Sequence, residues 1–327
     1  MKISAAIAVL GLSALALSAV AATPSVTGKI VGADGGWDYA TFDPVHRRLY
    51  VSRSDGVMAL DVDTGKVTAK LVDLQRTHIA LPVNGGSEIL VTSTTLGGVV
   101  IADALTGVVR ASLKTGEKPD AALLEPTTGQ AWVMDNKGGG ITLIDVKAGT
   151  KLANIAVPGA LESAATDGKG RVFVNVEDLA EIAVVDVKAR RVRAHYPLKD
   201  CEEPSGLAYA AGRLVSVCAN GTARVIEARS GKEIASLPIG PRPDTALYDS
   251  ANGVVYVPTA GDGKLTVISP ATARVVAVVA TQTGARTQTQ DPKTGTLYLP
   301  AANYVIAPGT RPTMVPGSFV LLELKTR

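Results

Sequence analysis

Residues 49–52 read Leu49-Tyr50-Val51-Ser52, a short apolar strand, and similar strands return six more times along the chain. The second residues of these strands, which we call the anchors, are Tyr50, Leu90, Trp132, Phe173, Val215, Tyr256 and Tyr298. Their numbers therefore increase by 40, 42, 41, 42, 41 and 42 from one anchor to the next. A period near 40 that is built of strands and turns is typical of a β-propeller. We predict an all-β domain, a seven-bladed β-propeller with four antiparallel strands in each blade.

The two ends of the repeat region predict how the ring closes. The last repeat supplies a third strand over 319–324, and no outer strand follows it. Residues 25–32 read like the outer strands of other repeats, for example residues 232–239. We expect this N-terminal strand to complete the last blade, because an unpaired sheet edge is a liability.

Residues 1–22 have the features of a secretory signal peptide. Lys2 supplies a positive charge, an apolar run rich in Ala and Leu follows, and Ala19-Val20-Ala21 forms a small-x-small cleavage site. A membrane helix is the alternative, because the run is long enough to span a bilayer. The dense alanine favours cleavage near Ala21 or Ala22. We expect residues 23–327 to form one periplasmic or secreted monomer without membrane insertion after cleavage.

Composition and cysteine usage narrow the classes of partner. The net charge is +3, the basic residues are scattered, and aromatic residues make up only 4% of the chain, so nucleic acid is not an expected partner. Two cysteines in an exported chain suggest a disulfide, with two buried thiols as the alternative. Cys201 lies in the loop that enters the fifth repeat, and Cys218 ends that repeat's second strand. Both should lie on one face of the ring, which favours a bridge.

One face of the predicted ring carries the longest loop. Residues 302–318, which we call the arm, separate the second and third strands of the last repeat. The corresponding loops of the other repeats are much shorter. Long loops on a rigid scaffold are the usual place for binding, so this face is the expected site.

A polar residue recurs where each first strand begins. Its number is lower than that of the anchor by 12, or by 11 in the fourth repeat. First strands line a propeller's channel, so these side chains should surround its mouth on the face of the arm. The seven residues are Asp38, His78, Asp120, Glu162, Glu203, Asp244 and Arg286. Expected neighbours are Trp37, Glu202, Asn220, Tyr304 and Arg311.

Three interpretations of this ring stay open. The residues only solvate the rim, or they bind a cation or small polar ligand, or they form a catalytic metal or acid–base site in which His78 titrates near neutrality. Hard divalent cations such as calcium prefer oxygen ligands. The candidate metal ligands are Asp120, Glu162, Glu203 and Asp244. No H-E-x-x-H, G-x-S-x-G, C-x-x-C or Walker motif occurs, and no catalytic residue is assigned.

The repeats resemble the YVTN repeat of YncE-like seven-bladed propellers. The resemblance is carried by Asp43-Pro44-x-x-Arg47-Arg48-Leu49-Tyr50-Val51-Ser52 and by Leu60-Asp61-x-Asp63-Thr64-Gly65-Lys66-Val67. Cys201-Glu202-Glu203-Pro204 and Arg311-Pro312-x-x-Val315-Pro316 are similar to segments of one exported branch. The resemblance implies an exported propeller of a family often linked with metal or iron stress, with DNA binding in at least one member. It implies no catalytic residue.

These observations favour a binding or interaction module over an enzyme. The expected ligand site is the acid-lined channel mouth, which would repel the phosphates of DNA. The main alternative is a metal-dependent hydrolase of the lactonase kind at the same mouth. A further alternative is a scaffold that binds a protein partner on its flat face.

Overall fold

The computed structural model describes residues 23–305 and 312–326. The described residues form seven four-stranded antiparallel sheets and one small hairpin. The predicted seven-bladed β-propeller is therefore confirmed. The proposed signal peptide, residues 1–22, lies outside the described residues, and within them no helix has the length and apolarity needed to cross a membrane.

The strands follow the chain blade by blade, apart from β1 (Ser25–Val31), which belongs to the seventh blade. The first blade contains β2 (Trp37–Asp43), β3 (Arg48–Arg53), β4 (Gly56–Asp61) and β5 (Val67–Val72). The second contains β6 (Thr77–Val83), β7 (Glu88–Ser93), β8 (Gly98–Asp103) and β9 (Val109–Lys114), with a 3₁₀ turn at Asn84–Gly86. The third contains β10 (Glu117–Glu125), β11 (Gln130–Lys137), β12 (Gly140–Asp145) and β13 (Thr150–Ala156).

The remaining blades repeat this order. The fourth contains β14 (Leu161–Thr166), β15 (Arg171–Val176), β16 (Glu181–Asp186) and β17 (Arg191–Pro197). The fifth contains β18 (Pro204–Ala210), β19 (Arg213–Cys218), β20 (Thr222–Glu227) and β21 (Glu233–Pro238). The sixth contains β22 (Leu247–Asp249), β23 (Val254–Thr259), β24 (Lys264–Ser269) and β25 (Arg274–Ala280). The seventh contains β26 (Thr289–Gln290), β27 (Leu297–Ala301) and β30 (Val320–Lys325), and the hairpin is β28 (Tyr304–Val305) with β29 (Thr313–Met314).

The anchors fill the space between blades. Tyr50, Trp132 and Tyr256 are among the largest side chains that are fully buried. Burial of such a large apolar side chain stabilises the fold by roughly 1.5–3 kcal/mol. The sequence period is visible because every blade buries the centre of its second strand.

The third strand ends with an acidic residue in several blades, and the turn to the fourth strand explains why. Asp61 Oδ1 accepts from the amides of Asp63 and Thr64, and Asp103 Oδ1 accepts from those of Leu105 and Thr106. Asp145 closes its own turn in the same way. These are Asx turns, in which a short carboxylate satisfies amides that the ladder leaves unpaired.

The N-terminal strand closes the ring. β1 pairs antiparallel with β30, with Ile30 opposite Leu321 and Val31 opposite Val320. The sheet order is β1-β30-β27-β26, so β1 supplies the outer strand that the last repeat lacks. The predicted pairing of the two segments is confirmed.

The described parts of the arm, 302–305 and 312–318, pack against the start of the first blade. Tyr304 in β28 pairs with Met314 in β29. The ring centroid of Tyr304 lies 6.3 Å from that of Trp37, and the ring centroid of Phe319 lies 5.3 Å from that of Trp37. Residues 306–311, which include the candidate Arg311, lie outside the described residues. The arm thereby borders the channel at the seventh and first blades.

Candidate binding site at the channel mouth

A cavity of about 680 Å³ opens at the channel mouth. All seven predicted ring residues line it, together with Tyr304 and Pro312 of the arm. The starts of the first strands and the arm therefore border one space. A volume of this size falls within the range of small-molecule sites, about 300–1,000 Å³.

The strand register corrects one member of the predicted ring. In the fifth blade Pro204 pairs with Cys218, as Thr77 pairs with Ser93 in the second. Ser205, not Glu203, therefore holds the position that His78 holds in its blade. The turn between β18 and β19 is shorter than its counterparts, so the offset that fits the other anchors overshoots by two in this blade. Glu203 is exposed and lies in the loop before the strand.

The corrected register defines two levels of residues around the mouth. The lower tier consists of the first-strand positions Asp38, His78, Asp120, Glu162, Ser205, Asp244 and Arg286. The upper tier lies two residues earlier in each blade and consists of Gly36, Arg76, Lys118, Ala160, Glu203, Arg242 and Gly284. The lower tier is mainly acidic and the upper tier contains three basic residues.

Hydrogen bonds between blades hold the backbone of the lower tier. Thr92 Oγ1 donates to the carbonyl of Asp120 at 2.8 Å, and Asn175 Nδ2 donates to that of Ser205 at 2.9 Å. Thr287 Oγ1 donates in the same manner to the carbonyl of Asp38 at 2.9 Å. Because each bond joins a blade to its neighbour, the tier positions are fixed relative to one another. Such support keeps a site preorganised.

His78 connects the first three blades. Its Nδ1 donates to Asp38 Oδ2 at 2.7 Å and lies 3.5 Å from Asp120 Oδ1, and its Nε2 lies 2.6 Å from Thr94 Oγ1. Burial alone lowers the pKa of His78, but the hydrogen bond to Asp38 and the charge of Asp120 outweigh it and raise that pKa above its ordinary value. The imidazole is therefore a fixed, readily protonated group between two carboxylates.

Glu162 is held by neutral groups. Tyr39 donates its hydroxyl to Glu162 Oε1 at 3.2 Å, and Asn136 Nδ2 donates to Oε2 at 3.3 Å. Burial, and then the charges of Asp120 and Asp244, raise the pKa of Glu162 well above its ordinary value. Burial raises the pKa of Asp120 to about 7, with Asp38 adding to the effect. Asp120 and Glu162 therefore keep their protons to a higher pH than exposed carboxyls, which release theirs near pH 4.

Arg286 partly neutralises the negative charge of Asp244 in the sixth blade. Its Nε donates to Asp244 Oδ2 at 2.7 Å, and its Nη2 donates to the carbonyl of Trp37 at 3.1 Å. Burial raises the pKa of Asp244 to about 6, although the charge of Arg286 acts against this rise. The guanidinium therefore links the sixth, seventh and first blades.

The mouth is less acidic than the sequence suggested. Six carboxylates line the cavity, but four Arg and Lys side chains and the imidazole of His78 do so as well. Sequence reasoning missed Arg76, Lys118, Arg242 and also Glu177. A signal for the three basic residues existed, because each of them precedes the anchor of its own repeat by the same offset of 14. The prediction of an acid-lined mouth is therefore corrected to one of mixed charge, with four acids in the lower tier and three basic residues in the upper tier.

Of the described expected neighbours, only Tyr304 lines the cavity. Tyr304 lines the cavity, whereas Trp37 is buried beneath it and contributes its carbonyl to Arg286. Glu202 is exposed and Asn220 donates to the carbonyl of Asp200, and neither lines the cavity.

The predicted disulfide between Cys201 and Cys218 is confirmed. The cysteine Cα atoms lie 5.3 Å apart. The bridge fixes the loop that carries Glu203 to the end of β19. It therefore positions one member of the upper tier.

One group of side chains in the described ranges has the composition of a metal site. Ligand atoms of Asp38, His78 and Asp120 all lie within 4.8 Å of one another. Of the four predicted metal ligands, only Asp120 belongs to this group. Glu162, Glu203 and Asp244 lie elsewhere on the mouth, so the four do not converge on one point there.

Comparisons with known proteins define the class. No protein-family model matches the chain, and no curated protein matches it in sequence. Among solved structures, Kuenenia stuttgartiensis hydrazine synthase is similar, with a TM-score of 0.73 and 17% sequence identity over 89% of this chain and 99% of that chain. Identity at this level shows the fold alone. The chain is a seven-bladed β-propeller with an elaborated channel mouth.

Proposed function

We propose that this propeller is an exported, YncE-like binding module that takes a small polar ligand in the cavity at its channel mouth. The observation that carries the proposal is the convergence of ionisable side chains from separate blades on one cavity of about 680 Å³. Perturbed carboxyl groups gathered in a concave space are typical of functional sites. Preorganised polar groups bind ligands without a large cost of ordering.

A thermal-shift screen of the full mature chain tests this function. The probes are calcium chloride, zinc chloride, inorganic phosphate, amino acids, sugars and small organic acids, each alone. We expect at least one class to raise the Tm of the wild type, because a ligand that binds only the folded state stabilises it. The double variant Asp244→Asn/Arg286→Gln should lose the shift, and Arg274→Gln, an exposed change on β25, should keep it. No shift with any probe, or a shift that the double variant retains, would contradict the proposal.

Export is part of the same proposal. Expression of the full chain in a bacterium with two membranes should yield a periplasmic protein that begins near residue 22 or 23 by mass spectrometry. A disulfide between Cys201 and Cys218 suits an oxidising compartment. Recovery of the uncleaved chain from the cytoplasm would contradict export.

A metal-dependent hydrolase is the second candidate, and the Asp38–His78–Asp120 group favours it. A divalent ion there would act as a Lewis acid beside the cavity. Equilibrium dialysis followed by metal analysis, together with a lactone hydrolysis assay, separates it from a simple binding module. Bound metal and turnover that are both lost in Asp38→Asn would favour the hydrolase.

A further inference from the structure

The upper tier places charged residues where the backbone favours glycine. Arg76, Lys118, Glu203 and Arg242 have φ angles of +52°, +53°, +45° and +57°. Glycine occupies the equivalent position at Gly284, with φ of +95°. A residue with a Cβ in this left-handed region costs on the order of 1–2 kcal/mol. Four of the seven upper-tier positions therefore carry a charged side chain in spite of that cost.

Two of the upper-tier cations, Arg76 and Arg242, have guanidinium groups without a partner among the described residues. The side chains of Arg76 and Arg242 are exposed, line the cavity, and make no hydrogen bond or ion pair with the described residues. Lys118 donates to Asn136 Oδ1 at 2.8 Å and lies 3.8 Å from Asp120 Oδ2. The planar fork of a free guanidinium matches a carboxylate. The upper tier is therefore suited to an anionic group.

The lower tier is instead suited to a cationic group. Its four carboxylates face only two basic members of their own tier, His78 and Arg286. Glu162 makes no ion pair within the described part of the chain and is held by Tyr39 and Asn136. A primary ammonium group has three N–H donors and no acceptor, so it suits a pocket of carboxylate oxygens.

We propose that the cavity binds a small zwitterion of the amino-acid and short-peptide class, with its ammonium group on the lower tier and its carboxylate on the upper tier. This inference rests on the proposed binding function and specifies its ligand. A metal ion alone would satisfy the acids and leave Arg76 and Arg242 unpaired. An inorganic anion would satisfy those arginines and leave Glu162, which has only neutral hydrogen-bond partners among the described residues, without a charged partner. A zwitterion complements both tiers at once, and such complementarity gives specificity.

Native mass spectrometry of the full mature chain with three matched pools tests the ligand class. The first pool contains free amino acids and dipeptides, the second their N-acetylated forms, and the third their C-terminal amides. We expect the free pool to contain a binder at least tenfold tighter than its acetylated and amidated forms. Equal binding of the capped forms, or binding of none of the pools, would overturn the inference.

Variants assign each end of the ligand to a tier. The double variant Arg76→Gly/Arg242→Gly removes the cations at positions whose backbone suits glycine, so its Tm should not fall. It should weaken the free form at least tenfold and leave the amide unchanged. Glu162→Gln should weaken the free form by a similar factor and leave the acetylated form unchanged. Arg274→Gln is the control and should change none of these values.

The outcomes separate this inference from the binding function. If sugars, a metal or an organic acid shift the Tm through Asp244 and Arg286 while the free pool does not bind, the cavity is a binding site and the zwitterion inference is wrong. If no probe and no pool binds, both are wrong. If the glycine double variant binds the free form like the wild type, the assignment of the carboxylate to the upper tier is wrong.

Discussion

At the scale of single residues, the buried carboxyl groups of the lower tier predict a pH-dependent stability. Burial, assisted by neighbouring acids, raises the pKa of Asp120 to about 7 and that of Glu162 above its ordinary range. The folded state then holds protons that the unfolded chain releases above about pH 4, so the free energy of unfolding falls as pH rises from there to about 7. His78 acts in the same direction, since its raised pKa stabilises the fold at low pH and this contribution is lost as pH rises through that pKa.

The measurement is the Tm of the ligand-free protein at pH 5 and pH 8. We expect a fall of about 3 °C or more, because one pKa unit corresponds to about 1.4 kcal/mol. Glu162→Gln should make the fall smaller, and Glu202→Gln, an exposed control, should not change it. Acids with lowered pKa values, such as Asp61 and Asp103, lose their contribution below about pH 4 and do not affect this window. A Tm that stays constant or rises from pH 5 to pH 8 would contradict the assignment.

At the scale of elements, the disulfide fixes the loop between the fourth and fifth blades. It joins Cys201 to Cys218 across 17 residues. In the chain-entropy model a loop of this size is stabilised by about 3 kcal/mol. We expect Cys201→Ala/Cys218→Ala to lower the free energy of unfolding by roughly that amount in urea denaturation. The control is the wild type treated with a reducing agent, which should lose a similar amount, and an unchanged unfolding midpoint would show that the loop is held by other contacts.

The fifth blade also shows where sequence reasoning about elements fails. The anchors are readable because each second strand is apolar and fully buried at its centre. The first strands carry small and partly polar side chains. Their pairing with the second strands is irregular, with register shifts such as the one between Trp37 and Ala40. The turn between β18 and β19 is shorter than in the other blades, so counting back from the anchor gave Glu203 instead of Ser205 for the predicted ring. The spacing of the anchors does not reveal a shorter turn, because turn length and bulges change the number of residues between the first-strand position and the anchor without changing the pattern of the second strand.

At the scale of the whole molecule, ring closure by β1 predicts a strong dependence on the N-terminal segment. Removal of residues 24–32 exposes the edge of β30 and uncovers Phe319, which packs beside Gly32. We expect the loss of a large part of the roughly 5–15 kcal/mol that stabilises a typical domain. Thermal unfolding and size-exclusion chromatography would show a much lower Tm and aggregation through the open edge. The control Val31→Ser changes an exposed side chain of the same strand and should be nearly neutral; an equally stable truncated protein would refute the closure role.

The blade number and the ring closure were predictable because a propeller repeats one packing solution at a fixed period. The channel mouth was only partly predictable. Its side chains come from seven separated segments, and the interblade contacts that set their level, such as Thr92 to the carbonyl of Asp120, leave no local pattern in the sequence. The three basic residues of the upper tier were missed, although their common spacing from the anchors was present in the sequence.

The decisive experiment is a crystal structure of the protein with the tightest-binding compound from the thermal-shift screen. We expect electron density for that compound inside the channel mouth, in contact with Glu162 or Arg286 from the lower tier and with Arg76 or Arg242 from the upper tier. Density on the outer strands or on the opposite face, with the mouth filled only by solvent, would contradict it.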